Sequence, residues 1–560
     1  MISKQADDAS IQARLLRDLW RRYRWRVVGS LVASVAAGLC SAALLAFINS
    51  AIQQTEGVIP TVAWVFAGLC LIVLVSGVLS AVLLTHLGQE LALDLRMRLC
   101  QSILSAPLRQ LHTLGRHRLL ASLTEDIETI TGSCEAVPAL GVALATIIGC
   151  LGYLGWLSWE LLLIVVSAMA VGVIALQWVQ HKAMRWLEIA RVGTDRLFDH
   201  FRALTEGTKE LKIHRRRRHV FVEEHLRATG NYIRSNFIRG IYLYTVAINF
   251  GNLLFYGLIG VVLFAAPVFT ETSSQMVTGY TLALLYLMAP LSSVMQALPS
   301  LGEGVVALRR IEALGLSLTD HPNDEGYGGS PTVSSAPGKL ELVGVSHHYQ
   351  HEKEERGFVL GPLNLTLSPG ELVFVIGGNG SGKSTLMLLI MGLYAPDQGY
   401  IRLNDETITD SNRENYRQQF AAVFSDPYLF ECLLGYEKDV EGNARDLLAQ
   451  FRLSHKVRIE GGRFSTLDLS QGQRKRLALL AAYLDDRPFY IFDEWAADQD
   501  PEFKAIFYTK LLPDLKKRGK TILVITHDDR YFHVADRCIK LVDGRLAHYD
   551  ADVSVPASAT

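Results

Sequence analysis

Long apolar runs dominate the first three hundred residues of this 560-residue chain, and charged residues are concentrated between them. Each run holds about twenty residues with almost no Asp, Glu, Lys or Arg. A helix of that length crosses roughly 30 Å of hydrocarbon at about 1.5 Å per residue. We therefore predict six membrane-spanning helices, at residues 27–49, 61–84, 137–156, 161–178, 242–266 and 276–295.

The pattern changes after a stretch rich in Gly, Pro, Ser and acidic residues, HPNDEGYGGSPTVSSAPG. Beyond it, short apolar runs alternate with helical patterns and glycine-rich turns, which is typical of a soluble α/β domain. We expect an N-terminal tail at 1–26, a transmembrane domain at 27–310, a linker at 311–337, an α/β domain at 338–548 and a C-terminal tail at 549–560.

Lys and Arg are distributed unevenly between the two sides of the predicted spans. They gather in the N-terminal tail and in the loops after the second and fourth spans, whereas the other three loops contain neither residue. By the positive-inside rule, both termini and both of these loops are cytoplasmic. The tail is either a helix in the membrane surface or an ordinary solvated amphipathic helix.

The two long cytoplasmic loops predict helical hairpins of about fifty to sixty residues each, with limbs that project roughly 35 Å. We expect their tips at residues 108–115 and 206–214. Four consecutive arginines at 215–218 follow the second tip. They form either a solvated or lipid-facing cluster or a specific site.

Composition excludes several classes of function. The net charge is −1, so charge alone indicates no nucleic-acid partner, and the seven cysteines include no CxxC pair that would predict a zinc site or a disulfide framework. Spans without ionisable residues lack the material of a proton relay. Some polar residues in the spans either line a cavity or bond neighbouring helices: Asn49, Gln177, Asn249, Asn252, Tyr256, Tyr280 and Tyr286.

A phosphate-binding loop is predicted where the apolar strand at 371–376 is followed by GGNGSGKST and then by a helical pattern. Glycines allow the backbone N–H groups to converge on phosphates at a helix N-terminus. In this motif Lys383 reaches the terminal phosphates and Ser384 holds Mg²⁺. The predicted ATP-binding residues of the loop are Gly377, Gly378, Asn379, Gly380, Ser381, Gly382, Lys383, Ser384 and Thr385.

Two adjacent carboxylates end the buried strand in PFYIFDE, about 110 residues after the loop. We expect Asp493 on the Mg²⁺ side and Glu494 as the group that orients and polarises the attacking water. His527 follows the next apolar strand, TILVIT, where it can contact the γ-phosphate. Glu494, His527 and Lys383 are the predicted catalytic residues.

The segment LSQGQ, residues 469–473, opens a helical pattern about twenty residues before the carboxylate strand, and it resembles the LSGGQ signature of ATP-binding cassettes. The whole chain resembles an ABC exporter half-transporter. That resemblance implies a six-helix type IV exporter-like transmembrane domain and an α/β P-loop ATPase domain with an antiparallel β subdomain. It also implies a homodimer, in which Ser470, Gln471, Gly472 and Gln473 of one chain contact ATP bound to the other.

Further roles come from the same resemblance. Tyr349, in VSHHY, matches the aromatic residue that stacks on adenine, and Asp500, in AADQD, matches a loop that communicates between the two ATP sites. Ser425 stands where most cassettes have a glutamine that touches Mg²⁺. Gln471 replaces a signature glycine, and Trp495 replaces the common proline after the catalytic carboxylate.

The runs SQGQRKRLALL and DRPFYIFDEWAADQDPEFK resemble the cyclic-peptide export branch of the ABC exporters, which includes exporters of pyoverdine precursors, syringomycin-like lipopeptides and lasso microcins. The resemblance implies a peptide or siderophore-like cargo moved across a bacterial inner membrane. A lipid or hydrophobic-drug exporter or flippase is the main alternative, and an ATP-gated channel or regulator is another. The six spans exclude a soluble DNA-repair ATPase.

Overall fold

A computed structural model describes residues 2–53, 60–265, 273–314, 338–349, 358–436 and 441–547. The side chains of residues 2–22, 53, 60–62 and 349 lie outside this description, as do the predicted C-terminal tail and most of the predicted linker. The chain forms two compact units. One comprises Met1–Ser105 and Leu114–Asp320, and the other comprises Ala106–Thr113 and His321–Thr560.

The first unit is entirely helical within the described ranges. Two π-helical turns, Ser122–Asp126 and Phe221–Arg227, interrupt its long limbs, and a third, Val261–Ala265, ends one of them. Its helices are α1 (Ile2–Gln53), α2 (Pro60–Ser105), α4 (Arg116–Ala121), α5 (Ile127–Leu157), α6 (Trp159–Glu206), α7 (Thr208–Ile213), α8 (Arg215–Val220), α9 (Ala228–Gly260) and α10 (Ser274–Glu312).

Six helical segments of this unit are long and apolar enough to cross a membrane, which confirms the predicted spans. The helices extend well beyond the apolar runs into charged segments, to Ser105 in α2 and to Glu206 in α6. The backbone of α1 continues as one helix through residue 26, where the predicted tail ends. Short helix α7 lies at the predicted tip of the second hairpin.

The spans pack in two sets. α1 lies against α2 and α5, α5 lies against α10, and α6 pairs with α9. Small hydroxylated residues allow the first set to approach closely: the buried Ser34 Oγ lies 2.7 Å from Ser80 Oγ, which also donates to the Ser30 carbonyl. Interhelical hydrogen bonds of this kind stabilise helix contacts where lipid offers no polar partner.

The polar residues singled out in the spans divide between two roles. Tyr280 is fully buried and its hydroxyl donates to the Leu154 carbonyl at 2.8 Å. The Asn49 amide donates to the Tyr153 hydroxyl at 2.7 Å. These two residues therefore join helices, whereas Asn252 and Tyr286 line cavities.

The second unit contains a six-stranded sheet, a four-stranded antiparallel sheet and a small hairpin. The six-stranded sheet has the order β12 (Arg545–Ala547), β11 (Arg537–Val542), β3 (Leu372–Ile376), β10 (Thr521–Ile525), β9 (Phe489–Asp493) and β6 (Phe420–Val423), and it is parallel except for β12 at its edge. The four-stranded sheet has the order β2 (Phe358–Leu367), β1 (Leu340–Tyr349), β4 (Gln398–Leu403) and β5 (Glu406–Thr407). This is the predicted α/β domain with an antiparallel subdomain.

The strands of this unit are short and the central ones are wholly buried. They are β1 (Leu340–Tyr349), β2 (Phe358–Leu367), β3 (Leu372–Ile376), β4 (Gln398–Leu403), β5 (Glu406–Thr407), β6 (Phe420–Val423), β7 (Ile459–Glu460), β8 (Arg463–Phe464), β9 (Phe489–Asp493), β10 (Thr521–Ile525), β11 (Arg537–Val542) and β12 (Arg545–Ala547).

Helices of the second unit cover the six-stranded sheet and carry the predicted motifs. They are α3 (Leu108–Leu114), α11 (Lys383–Ile390), α12 (Arg413–Arg417), α13 (Glu441–Gln450), α14 (Gln471–Asp485), α15 (Pro501–Ile506) and α16 (Leu512–Lys517). Because β3, β9 and β10 are parallel neighbours, the residues that follow their carboxyl ends meet at one edge of the sheet.

Candidate functional site

The predicted phosphate loop connects β3 to α11. A Cβ on Gly377 would lie 2.3 Å from the Leu541 carbonyl oxygen, so only glycine lets the chain leave the sheet here. Lys383, at the start of α11, is buried, and its ammonium group donates to the carbonyls of Gly377 and Gly378 at 3.0 Å each. The loop therefore curls around a fixed positive charge.

The loop also contains an unsatisfied buried hydroxyl. Ser381 is 7 % exposed, and its Oγ has no hydrogen-bond partner among the described residues. Buried polar atoms are normally satisfied, so such an atom inside a glycine-rich turn fits a loop shaped to receive an anionic ligand. A nucleotide phosphate suits this charge and this set of donors.

The two carboxylates occupy different environments at the end of β9. Asp493 is 4 % exposed, and burial, followed by the neighbouring Glu494 charge, raises the pKa of its carboxyl group. Lys383 and Ser425 oppose that shift. A carboxylate held in this way gains from a nearby cation, which is the expected property of a metal ligand.

Glu494 lies in the left-handed region at φ 47°, and its backbone N–H donates to the Ile525 carbonyl at 3.1 Å. Residues other than glycine in this region are uncommon, and such conformations cluster at functional sites. Its carboxylate oxygen lies 3.2 Å from His527 Nε2 and 4.0 Å from Lys383 Nζ. The structure thus brings the three predicted catalytic residues together.

The site offers a metal ion only a few protein ligands, as sites that bind Mg²⁺ commonly do. Within the described ranges, no group of three or more His, Cys, Asp or Glu residues could hold a metal. Ser384, in the first turn of α11, and Asp493 are the residues that would hold the ion. Mg²⁺ is commonly bound by one or two protein groups together with substrate phosphates and water, so this small set fits it.

Ser425 lies beside Asp493, and its hydrogen bond to that carboxylate favours the charged form. We expect Ser425→Ala to lower ATP turnover less than Ser384→Ala or Asp493→Asn does, since it removes a neutral hydrogen bond and no metal ligand. The three variants should be compared by steady-state ATPase assay over a range of Mg²⁺ concentrations. Ser425→Thr, which keeps the hydroxyl, is the control. If Ser425→Ala loses as much ATPase activity as Asp493→Asn, the expectation is wrong.

The signature segment begins α14 with a reciprocal cap. The Gln473 N–H donates to Ser470 Oγ at 3.4 Å, and the Ser470 N–H donates to Gln473 Oε1 at 3.1 Å. A Cβ on Gly472 would lie 2.5 Å from the Asp498 carbonyl oxygen, so position 472 requires glycine. The resemblance predicts glycine at position 471 as well. Gln471 is exposed, so a side chain is tolerated there.

Side-chain contacts of Lys475, Arg476 and Gln499 connect the signature helix to Glu494 and the loop after it. Buried Lys475 donates to the Glu494 carbonyl at 2.9 Å and pairs with Asp498 at 2.6 Å. Gln499 donates to the Gly472 carbonyl at 3.1 Å. Arg476 pairs with Asp500, whose pKa is lowered mainly because its carboxylate caps α15 through the Phe503 N–H.

Sequence reasoning did not identify Lys475 or Arg476 as site residues. The sequence feature that could have identified them is a pair of cations in an apolar helix, followed by acidic residues in the loop after Glu494. Tyr349 is the last residue of β1, and its side chain lies outside the described residues. No hydrogen bond or ion pair within the described ranges joins Ser470, Gln471, Gly472 or Gln473 to the phosphate loop.

Segment 106–113 folds as part of the second unit and contains most of α3. Arg109 pairs with Asp397 at 2.9 Å and donates to the His348 carbonyl at 3.2 Å. His112 Nδ1 lies 2.8 Å from the Tyr394 hydroxyl. These contacts reach the end of β1, one residue before Tyr349.

Two known families match this chain, one in its apolar N-terminal part and the other in its α/β part. The family described as ABC transporter matches residues 360–497, and the family described as ABC transporter transmembrane region matches residues 27–292. Together they include the six spans, the phosphate loop, the signature segment and the carboxylate strand.

Several curated proteins are similar over nearly the whole chain. ATP-binding protein SyrD of Pseudomonas syringae pv. syringae is 37% identical over 540 residues, which is 95% of each chain. The ATP-dependent lipid A-core flippase of Thiobacillus denitrificans is 24% identical and covers 96% of this chain and 94% of its own. That of Burkholderia thailandensis is 26% identical, over 96% of this chain and 93% of its own.

The fold is also similar to that of a solved bacterial Atm1-family ABC exporter with ATP bound. The TM-score is 0.71, and the match covers 94% of this chain and 95% of the other at 19% identity. At that identity the likeness concerns the fold alone, and it spans both units.

Proposed function

Because this chain belongs to the ABC transporters, as an exporter half-transporter that couples ATP hydrolysis to transport, we propose that it works as a homodimer and exports a peptide-like cargo. The export runs from the cytoplasm across a bacterial inner membrane. The observation that carries the ATPase part is the meeting of Lys383, Asp493, Glu494 and His527 at one edge of the sheet.

Each residue of this group has a separate task in the proposed mechanism. Lys383 offers its charge to the terminal phosphates, and Ser384 with Asp493 holds Mg²⁺, which neutralises phosphate charge when bound. Glu494 orients the attacking water and accepts its proton, because its carboxylate is partly exposed whereas Asp493 is buried. His527, 3.2 Å from that carboxylate, contacts the γ-phosphate and keeps Glu494 in place.

The number of ATP-binding motifs in one chain supports the homodimer. The chain has one phosphate loop and one signature segment, and within the described residues the two make no polar contact with each other. A signature segment that faces the loop of a second chain completes two equivalent sites. The contacts of Lys475, Gln499 and Arg476 then connect each signature to the catalytic loop of its own chain.

Mixing two inactive variants tests the shared sites. Lys383→Ala removes the phosphate contact and Ser470→Arg blocks the signature, so a mixed dimer keeps one site free of both changes. ATPase activity that returns only in the mixture supports the proposal. Demonstrated mixed dimers without any recovered activity would contradict it, and mixing Lys383→Ala with itself is the control.

Amide groups in the transmembrane unit support a peptide-like cargo. A cavity of about 80 Å³ between α6, α9 and α10 is lined by three amide side chains, Gln180, Asn252 and Gln296. These groups have no hydrogen bond to one another and can donate to and accept from a single peptide group of a cargo. The resemblance of the cassette to the cyclic-peptide export branch, and the similarity to SyrD, agree with such a cargo.

A lipid is the second candidate cargo, because two of the similar proteins are named lipid A-core flippases. Purified protein in vesicles should be offered a cyclic lipopeptide, a peptide siderophore precursor, a phospholipid and a hydrophobic dye. ATP-dependent uptake of a peptide that stops in Glu494→Gln supports the proposal. Movement of lipid or dye, while no peptide of the panel binds or moves, would refute the peptide cargo.

Arg109 offers a test of how cargo and ATP turnover are linked. We expect Arg109→Ala to leave basal ATPase activity nearly unchanged but to reduce its stimulation by cargo severalfold, since the pair with Asp397 is lost near β1. Asp397→Ala and the double variant complete the cycle, which should be strongly non-additive. Arg413→Ala, which removes a pair with the exposed Asp410 within its own loop, is the control. Additive effects would contradict a role for this ion pair.

A further inference from the structure

A second cavity of the transmembrane unit differs from the amide-lined one in charge. It has a volume of about 500 Å³ and lies between α1, α2, α5 and α10. Its walls include Leu84 and Val142, and Glu135 is the one charged residue that lines it. Small-molecule binding sites have volumes of about 300–1,000 Å³, and the volume of this cavity lies in that range.

The Glu135 carboxylate has no charged partner within the described residues. Three other acids of the same helices pair with arginine: Glu90 with Arg26, Asp94 with Arg98, and Asp126 with Arg310. Glu135 has no ion pair and no hydrogen bond in the part of the chain that the structure describes. Its side chain is exposed into the cavity and lies against Gly88 of α2, where a Cβ would be 3.9 Å from its Cγ.

The position of Glu135 is close to a predicted membrane span. Glu135 lies two residues before the apolar run 137–156, at the edge of the predicted hydrocarbon region. Acids at such positions are rare and usually serve a substrate or ion path. No Lys or Arg lines the cavity, so its walls supply no counter-charge for Glu135.

Most hydroxyls in the cavity are already committed to the helices. Ser41, Thr146 and Ser293 each donate to the carbonyl four residues earlier, and Ser80 bonds to Ser30 and Ser34. The remaining wall is apolar apart from Thr85 and Tyr286. The cavity therefore combines one strong acceptor with an apolar interior.

We propose that this cavity binds the cationic group of an amphipathic cargo, with the Glu135 carboxylate accepting from a primary amine or guanidinium while apolar groups fill the interior. The inference rests on the proposed export function and narrows its cargo to amine-bearing or guanidinium-bearing amphiphiles. A charge-assisted hydrogen bond of this kind adds both affinity and selectivity for charge sign.

The test uses purified protein in lipid nanodiscs and two matched pairs of probes. The first pair is polymyxin B, a cyclic lipopeptide with free amines, and its fully acetylated form. The second pair is dodecylammonium and dodecanol, which needs no peptide. Binding is measured by calorimetry, and the probe concentration that gives half-maximal change in ATPase activity is recorded. The variants are Glu135→Gln and the control Glu128→Gln, an exposed acid of the same helix that does not line the cavity.

Glu135→Gln should weaken binding of both free-amine probes about tenfold, the factor expected for one charge-assisted hydrogen bond. It should leave the acetylated peptide and dodecanol unchanged, and Glu128→Gln should behave as the unmodified protein. If Glu135→Gln and the unmodified protein bind both free-amine probes with equal affinity, the proposed cation site is wrong, even if the peptide is exported. If Glu135→Gln weakens binding of dodecylammonium and neither form of polymyxin B binds the unmodified protein, the cation site is supported and this lipopeptide is excluded as its cargo.

Discussion

Glu494→Gln is expected to lower ATP turnover by at least about a hundredfold while leaving ATP binding intact, because the amide cannot accept a proton from water. Glutamine keeps the size of the side chain, so the contacts around it persist. Its backbone N–H still donates to Ile525, and Lys475 still donates to its carbonyl. The loss should therefore fall on the chemical step.

Single-turnover hydrolysis and nucleotide binding measured on the same preparation separate the two effects. Glu502→Gln is the matched control, since it changes an exposed acid that pairs with Arg452 a short distance along the chain. The variant should also accumulate with ATP bound, because closure does not require hydrolysis. Turnover within a fewfold of the unmodified protein would remove Glu494 from the catalytic role.

Trp495→Ala is expected to have the largest effect on stability, lowering the free energy of unfolding of the ATPase unit by about 3–5 kcal/mol. The indole is fully buried and stacks on Phe507 with ring centroids 4.3 Å apart. Its N–H donates to the Lys475 carbonyl at 2.9 Å. Alanine at this position leaves a large cavity beneath the catalytic loop and removes this hydrogen bond.

Trp495→Phe is the control, because it keeps much of the buried ring and removes only the donor, at an expected cost of about 1 kcal/mol beyond the lost volume. Calorimetric unfolding of the full chain in detergent, with and without ATP, measures both variants. If Trp495→Ala unfolds like the unmodified protein, the indole is not a support of this core.

Motif residues with a local structural role were predictable from the sequence. Glu494 follows the buried strand β9 directly, and Lys383 follows β3 after the glycine loop. Parallel strands bring such residues to one edge of the sheet. Ser470 caps a helix whose start is visible in the sequence itself. The six spans were predictable for the same reason, since twenty apolar residues in succession admit few alternatives.

Residues whose role depends on distant partners were not predictable in this way. Lys475 was not singled out, because its partners Asp498 and the Glu494 carbonyl lie on the next loop. The polar residues of the spans present the same difficulty. Nothing in the sequence separates Tyr280, which bonds the end of α5, from Asn252, which lines a cavity, because helix rotation decides the difference.

The association of residues 106–113 with the ATPase unit has a consequence for recombination between relatives. The folded unit is discontinuous in the gene: its short outlying piece lies more than two hundred residues before the main piece. A crossover in the linker would transplant Asp397 and Tyr394 without Arg109 and His112, their partners in that piece. Functional exchange of cassettes between half-transporters therefore favours pairs of crossovers that carry both pieces, and these two segments should be inherited together.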